Sequence, residues 1–232
     1  MAPDGHDGIG VIVAGTVPLV TALTELAVRR PVFHSEADFQ HELAWQLRTA
    51  APTLSVRLEI PLILEPTSGK RERLDLLISS PSGARTAIEL KYCTDRLDTT
   101  VNGERFNLAR RAAQDISTYD IVKDIGRIER FIAVGEADSG AVVLLANDPW
   151  YWKPPISPRV TGAGQFRVHE GAVLAGDRVW QVGSGPGTQR GREMPISLSG
   201  SHVCHWVDYS RVDGHLFRVL TIAVPPESAF QK

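Results

Sequence analysis

The sequence predicts a mixed α/β domain, and three stretches predict it. Residues 35–47 carry apolar side chains at helical spacing. Residues 71–92 read as two short alternating strands around a tight turn, and residues 140–147, GAVVLLAN, form a continuous apolar run of strand length. The strongest helical signal of the chain, residues 107–134, lies between the last two. The resulting order is helix, three strands, helical segment, strand.

At 232 residues the chain suffices for one domain, with or without a large appendage. A net charge of −2 excludes a histone-like nonspecific binder but leaves room for local basic patches. Two cysteines, Cys93 and Cys204, read as free thiols of a reduced, intracellular protein. Residues 9–23 are apolar, yet Asp4 and Asp7 precede them without a Lys or Arg, and Pro18 interrupts the run, so a signal peptide is not expected. No uninterrupted apolar stretch reaches the length of a membrane span. A cytoplasmic protein with no membrane partner is the expectation, and a homodimer is one oligomeric state that the sequence leaves open.

In chain order, residues 16–30 predict a first helix, with Leu19, Leu23, Leu26 and Ala27 at helical spacing and Pro31 as its stop. Ser35 opens a second, with Asp38 three residues on as in a capping box and Phe39, Leu43 and Leu47 as the apolar stripe. At 100° per residue, Glu36 falls within about 60° of that stripe, whereas Glu42 lies about 120° from Glu36, toward solvent. Residues 54–64 alternate as a strand, and residues 67–70 turn the chain into the hairpin. There Leu74, Leu76 and Ile78 share one face, and Ser80-Pro81-Ser82-Gly83 form the turn. Residues 94–107 read as a polar loop or ordered lid. In the helical segment that follows, Leu108, Ala112, Ile116, Tyr119, Val122 and Ile125 form a stripe, and Gly126 is expected to break or bend the helix. Arg110, Arg111 and Gln114 lie on the face beside it, suited to phosphates and base edges. Residues 216–224 predict a last strand, and residues 159–215 carry little regular signal. The expected division is an N-terminal helical segment at 1–34, a core at 35–148 and a C-terminal elaboration at 149–232 whose strand returns to the sheet. His202, Cys204 and His205 lack a second cluster at zinc-finger spacing and read as packing beside Trp206. Trp150, Trp152, Trp180 and Trp206 read as core, with a small-molecule pocket as the other use of such residues.

A turn centred near Pro81-Ser82 makes residues whose numbers sum to 164 face each other, which sets Asp75 opposite Glu89. Two carboxylates so close on a half-buried strand pair repel and lose hydration, so they call for a raised pKa or a bound cation. Asp75 followed by Glu89-Leu90-Lys91 resembles the PD-(D/E)xK nuclease superfamily, with Leu74 standing where that family has its proline. The resemblance implies a restriction-endonuclease-like fold, a mixed sheet core running from residue 35 to 147. It implies magnesium or manganese held by Asp75, Glu89, the carbonyl of Leu90 and Glu36, with Lys91 acting beside Asp75 and Glu89 in catalysis. DNA is the implied partner, with Arg73, Arg105, Arg110, Arg111 and Gln114 as candidate contacts. The alternative is an inactive module of the same fold that binds nucleic acid or partner proteins.

Overall fold

The computed structural model describes residues 10–62, 72–156 and 161–226. Strands β1 (Ile12–Val13) and β2 (Val17–Pro18) form a small hairpin ahead of helix α1 (Leu19–Arg29). The helix starts later than its periodicity predicts because Val17 and Pro18 are paired with Val13 and Ile12. Helix α2 (Glu36–Ala50) opens where expected: the Ser35 hydroxyl accepts the Asp38 N–H at 3.2 Å, satisfying one of the helix's unpaired donors. Phe39, Leu43 and Leu47 are its fully buried stripe.

Three antiparallel strands follow: β3 (Ser55–Leu62), β4 (Glu72–Ser79) and β5 (Arg85–Cys93). The turn at residues 67–70 lies outside the described residues. The predicted loop at 94–107 is instead a hairpin of β6 (Leu97–Val101) and β7 (Glu104–Leu108). Asn102 and Gly103 turn it with φ of 52° and 80°, the pair of positive values that an Asn-Gly hairpin turn requires. That dipeptide was the overlooked signal. Leu97, Phe106 and Leu108 pack into the core, and Asn107 and Leu108, expected in the helix, belong to the strand.

Helix α3 (Gln114–Ala133) therefore starts seven residues after 107, and it runs straight through Gly126. Gly126 lies against Ile196 and Leu198, where a Cβ would stand in ordinary contact, 3.5 Å from Ile196 Cγ2 and Leu198 Cδ2. Strand β8 (Ser139–Ala146) follows, then β9 (Val173–Arg178), the short helix α4 (Pro186–Gln189), β10 (Ile196–Val203), β11 (Trp206–Val212) and β12 (His215–Val224). The stretch with little regular signal thus holds three strands. Its polar and glycine-rich turns hid their alternation.

The main sheet has six strands in the order β11-β12-β8-β5-β4-β3, with β5 and β8 parallel and every other neighbour antiparallel. α3 is the crossover that parallel neighbours need. Strand alternation divides the core into two layers. Ile88, Leu90, Ala141, Val143 and Leu145 face α1 and α2, while Ala87, Val142, Leu144 and Ala146 face α3 and the β9–β10 hairpin. Trp152 and Trp206 are buried in the second layer, and Trp150 and Trp180 pack against it, so all four serve the core. His202 Nε2 lies 2.9 Å from Glu129 and His205 Nδ1 3.0 Å from Glu170, while Cys204 is buried as a free thiol. Among the described residues no helix is long and apolar enough to cross a membrane.

Where α3 crosses β8, Gly140 leaves no room for a side chain. A Cβ there would collide with Ile128 Cγ2 and stand 2.9 Å from the Ala87 carbonyl oxygen. Gly140→Ala is expected to cost about 1–3 kcal/mol by overpacking. A thermal melt unchanged by that substitution would contradict this packing.

Candidate active site

The site is built where two strands part. β4 and β5 pair through Ser79↔Arg85, Ile78↔Thr86, Leu77↔Ala87 and Leu76↔Ile88, each summing to 164 as the turn predicts, and the ladder stops there. Asp75 and Glu89 occupy the next positions. On the other side of β4 the ladder skips Glu59 and Asp75, and Glu59 adopts a left-handed φ of 54°. Such strain in a residue other than glycine has to be held in place by its surroundings. Here Gln40 of α2 does so, donating to the Asp75 carbonyl at 2.8 Å and to Glu59 Oε1 at 3.2 Å. One consequence departs from the sequence: Leu74 packs in the α3 layer whereas Leu76 and Ile78 pack in the α2 layer, so alternation breaks at Asp75.

Beyond Ile88 the edge of β5 facing β4 loses its strand partner. N–H groups two residues apart point to the same edge, so Leu90 and Tyr92 both need acceptors there. Asp75 Oδ2 accepts the Leu90 N–H at 2.7 Å, and Glu36 Oε2 accepts the Tyr92 N–H at 2.9 Å. Glu42, by contrast, pairs with Arg29 at 3.2 Å, away from this strand edge.

Glu89 and Lys91, two residues apart on β5, project toward α3 and meet two residues that the sequence reading missed. Arg127 Nη2 lies 2.6 Å from Glu89 Oε2 and 2.8 Å from Asp124 Oδ1, and Lys91 Nζ lies 2.8 Å from Asp124 Oδ2. The result is a buried chain Lys91–Asp124–Arg127–Glu89. Lys91 Nζ also donates to the Leu90 carbonyl at 3.0 Å. The signal for Asp124 and Arg127 was present: charges at i and i+3 interrupt the apolar run Ile121, Val122, Ile125 and Ile128.

The charges do not balance locally. Four carboxylates, Glu36, Asp75, Glu89 and Asp124, meet three cations, Lys91, Arg111 and Arg127. Burial, then the like charges of Asp124 and Asp75, push the Glu89 carboxyl from the usual 4.5 up to about 9, against the pull of Arg127 and Lys91. A guanidinium at 2.6 Å ordinarily lowers a carboxylate's pKa, but neither Glu89 oxygen receives a well-directed hydrogen bond, so desolvation wins. Asp75 is also raised, by burial first, while the bond from Leu90, the charge of Lys91 and a hydrogen bond with Glu89 oppose it. Both carboxyls are therefore shifted toward the protonated form, Glu89 the more strongly. Burial alone would lower the Lys91 pKa, but the charges of Asp124 and Glu36 outweigh it and hold the ammonium protonated above its usual range.

The linkage has a definite sign. With its folded pKa raised, Glu89 contributes stability that is full below about pH 4.5 and is lost as pH rises through about 9. The metal-free protein should lose stability relative to Glu89→Gln between pH 5 and pH 9. Denaturant midpoints at three pH values measure this, and parallel curves for the two proteins would rule it out.

The remaining candidates are scattered. Arg111 joins the site, donating to the Tyr92 carbonyl at 3.2 Å and lying 3.5 Å from Glu36. Gln114 donates to Asp148 at 2.8 Å, just past β8. Arg110 is exposed 3.8 Å from Asp95, Arg105 is held by both oxygens of Asp98 on the outer face of its hairpin, and Arg73 is exposed on β4. Lys70 and Arg71 lie outside the described residues. Tyr119 is buried and stacks on Trp180 at 5.1 to 5.4 Å from its aromatic neighbours, Phe166 and Trp180.

Fold and cluster together define a mixed α/β protein with paired carboxylates and a lysine at the split end of its central strands. No family model, curated protein or solved structure matches the chain. Among the described residues no three His, Cys, Asp or Glu side chains already converge as a metal-binding group.

Proposed function

We infer that this chain is a divalent-cation-dependent nuclease of the PD-(D/E)xK type, hydrolysing phosphodiester bonds in DNA. The observation that carries the reading is the meeting of Asp75 with the Glu89-Leu90-Lys91 segment where β4 and β5 part, with Glu36 on the same strand edge. The succession α2, β3–β5, α3 and parallel β8 supports it, being the order of a restriction-endonuclease-like core.

Asp75 and Glu89 would hold Mg²⁺ or Mn²⁺, with the Leu90 carbonyl and Glu36 beside them. The fit rests on the Glu89 carboxyl, buried next to a second acid and without a well-directed hydrogen bond. Magnesium needs only one or two carboxylates, because it keeps several of its waters. Bound there, the ion supplies an activated water and stabilises charge on the phosphate. The chain's own part would begin with Glu89, which has to be ionised to serve as a ligand. Lys91, held as an ammonium by Asp124, donates hydrogen bonds to developing negative charge and is a poor proton acceptor. Arg111 sits at the same mouth, suited to a phosphate oxygen. Cleavage of single-stranded, duplex and branched DNA with and without Mg²⁺ or Mn²⁺ tests the reading. Absence of metal-stimulated cleavage on all three would sink it.

A second reading has its own support. Arg127 against Glu89 and Asp124 against Lys91 neutralise the motif within the protein, as suits an inactive module of this fold that binds nucleic acid or partners. The two differ in proton linkage. If a cation enters, Mn²⁺ affinity should rise up to about tenfold per pH unit below pH 9, as ligand protons leave. Titration calorimetry in two buffers of different ionisation enthalpy reads the released proton, and absence of heat favours the inactive module.

A further inference from the structure

A groove of about 560 Å³ runs between the outer flank of α2 and the edge strand β3, lined chiefly by His41, Trp45 and Arg48 from the helix and Val56 and Leu58 from the strand. His41, Trp45 and Arg48 stand at i, i+4 and i+7, so they form one stripe, and Trp45 is 68 % exposed. No carboxylate lines the groove among the described residues, and neither Arg48 nor His41 has an ion-pair or hydrogen-bond partner there. Glu42, on the same helix, is turned to Arg29. A bare indole face beside an uncompensated guanidinium is complementary to a flat ring joined to an anion. An apolar peptide would cover Trp45 but leave Arg48 without a counter-charge, and a duplex keeps its base faces stacked inside.

The helix that lines the groove also reaches the acidic cluster, through Glu36 and Gln40. Leu58 is followed by Glu59, which Gln40 ties to the carbonyl of Asp75. Along α2, the nine residues from Glu36 to Trp45 span about 14 Å. We propose that this groove binds single-stranded nucleic acid, one base stacked on Trp45 and an adjoining phosphate on Arg48, and leads the strand to the carboxylates; only the last clause rests on the nuclease reading.

Anisotropy of fluorescein-labelled oligothymidylate, titrated with the full chain in EDTA, tests it without cleavage. Trp45→Ala should weaken binding about 5- to 150-fold, the range for losing one stacked base, and Trp45→Phe should restore part of it. Arg48→Ala should flatten the slope of log affinity against log salt by about 0.7, the share of one phosphate on a single strand. A duplex of the same length should bind more weakly and be indifferent to Trp45. Three results would overturn the proposal: no oligothymidylate binding by the wild type, equal affinity in a Trp45→Ala protein with native circular dichroism, or a duplex that depends on Trp45 as strongly. An apolar extended peptide that binds there where oligothymidylate does not assigns the groove to a protein partner instead. Binding in EDTA with no cleavage in Mn²⁺ would retire the nuclease and leave the groove, whereas metal-dependent cleavage indifferent to Trp45 would do the reverse.

Discussion

Lys91→Ala is expected, on the proposed nuclease reading, to lower metal-dependent cleavage about 10²–10³-fold while leaving Mn²⁺ binding intact or tighter. The lysine contributes an ammonium beside the carboxylates, held in place by Asp124 at 2.8 Å and by the Leu90 carbonyl at 3.0 Å. On that reading, removing it would take away a charge that opposes cation entry and the donor proposed to meet charge on the phosphate. Asp75→Ala should lose both binding and cleavage, because it would remove a proposed ligand. The bland alternative makes Lys91 a counter-ion for Asp124 alone, in which case stability shifts and the rate does not. Titration calorimetry and a cleavage time course on one preparation separate the two. Wild-type rates in the Lys91→Ala protein would remove this residue from the mechanism.

The second large effect is on stability. Asp124→Ala leaves Lys91 and Arg127, whose side chains are 15 % and 10 % exposed, without the carboxylate that both of them touch. Breaking a buried ion pair from one side typically costs about 3–5 kcal/mol, because the uncompensated charge stays desolvated. Asp124→Asn keeps the volume and a hydrogen-bonding oxygen, so its loss should be smaller. It also removes the charge that does most to hold Lys91 protonated, so the lysine's pKa should fall. Urea midpoints rank the variants. A value for Asp124→Ala within about 0.5 kcal/mol of the wild type, the range of an ordinary surface substitution, would show that the pair is not doing this work.

Much of this was legible because local rules are strong. Ser35 and the Phe39, Leu43 and Leu47 stripe set the rotation of α2, and with it the choice of Glu36 over Glu42. Proline and glycine in the turn set the register of β4 on β5 as far as Leu76 and Ile88, after which the strands part at Asp75 and Glu89. The β6–β7 hairpin was equally local, and its Asn-Gly turn was overlooked because the stretch is polar. The start of α3 was misplaced for the same reason, since a helical period and a strand end overlap at residues 107 and 108.

By itself, then, the sequence determined the elements that side-chain period and turn chemistry encode, and the register that brings Asp75 and Glu89 to the end of one ladder. Only the tertiary structure decided what surrounds that pair. The break in alternation at Leu74 comes from Glu59 and Gln40, which are distant in sequence from Asp75 and reach it through the sheet and α2. The partners of Glu89 and Lys91 come from α3, more than thirty residues on, because which helical face meets β5 depends on packing against β8 and β10. Those contacts, not the spacing of the motif, raise the pKa of both Glu89 and Lys91: burial and neighbouring charge act through space, and a linear pattern carries no record of either.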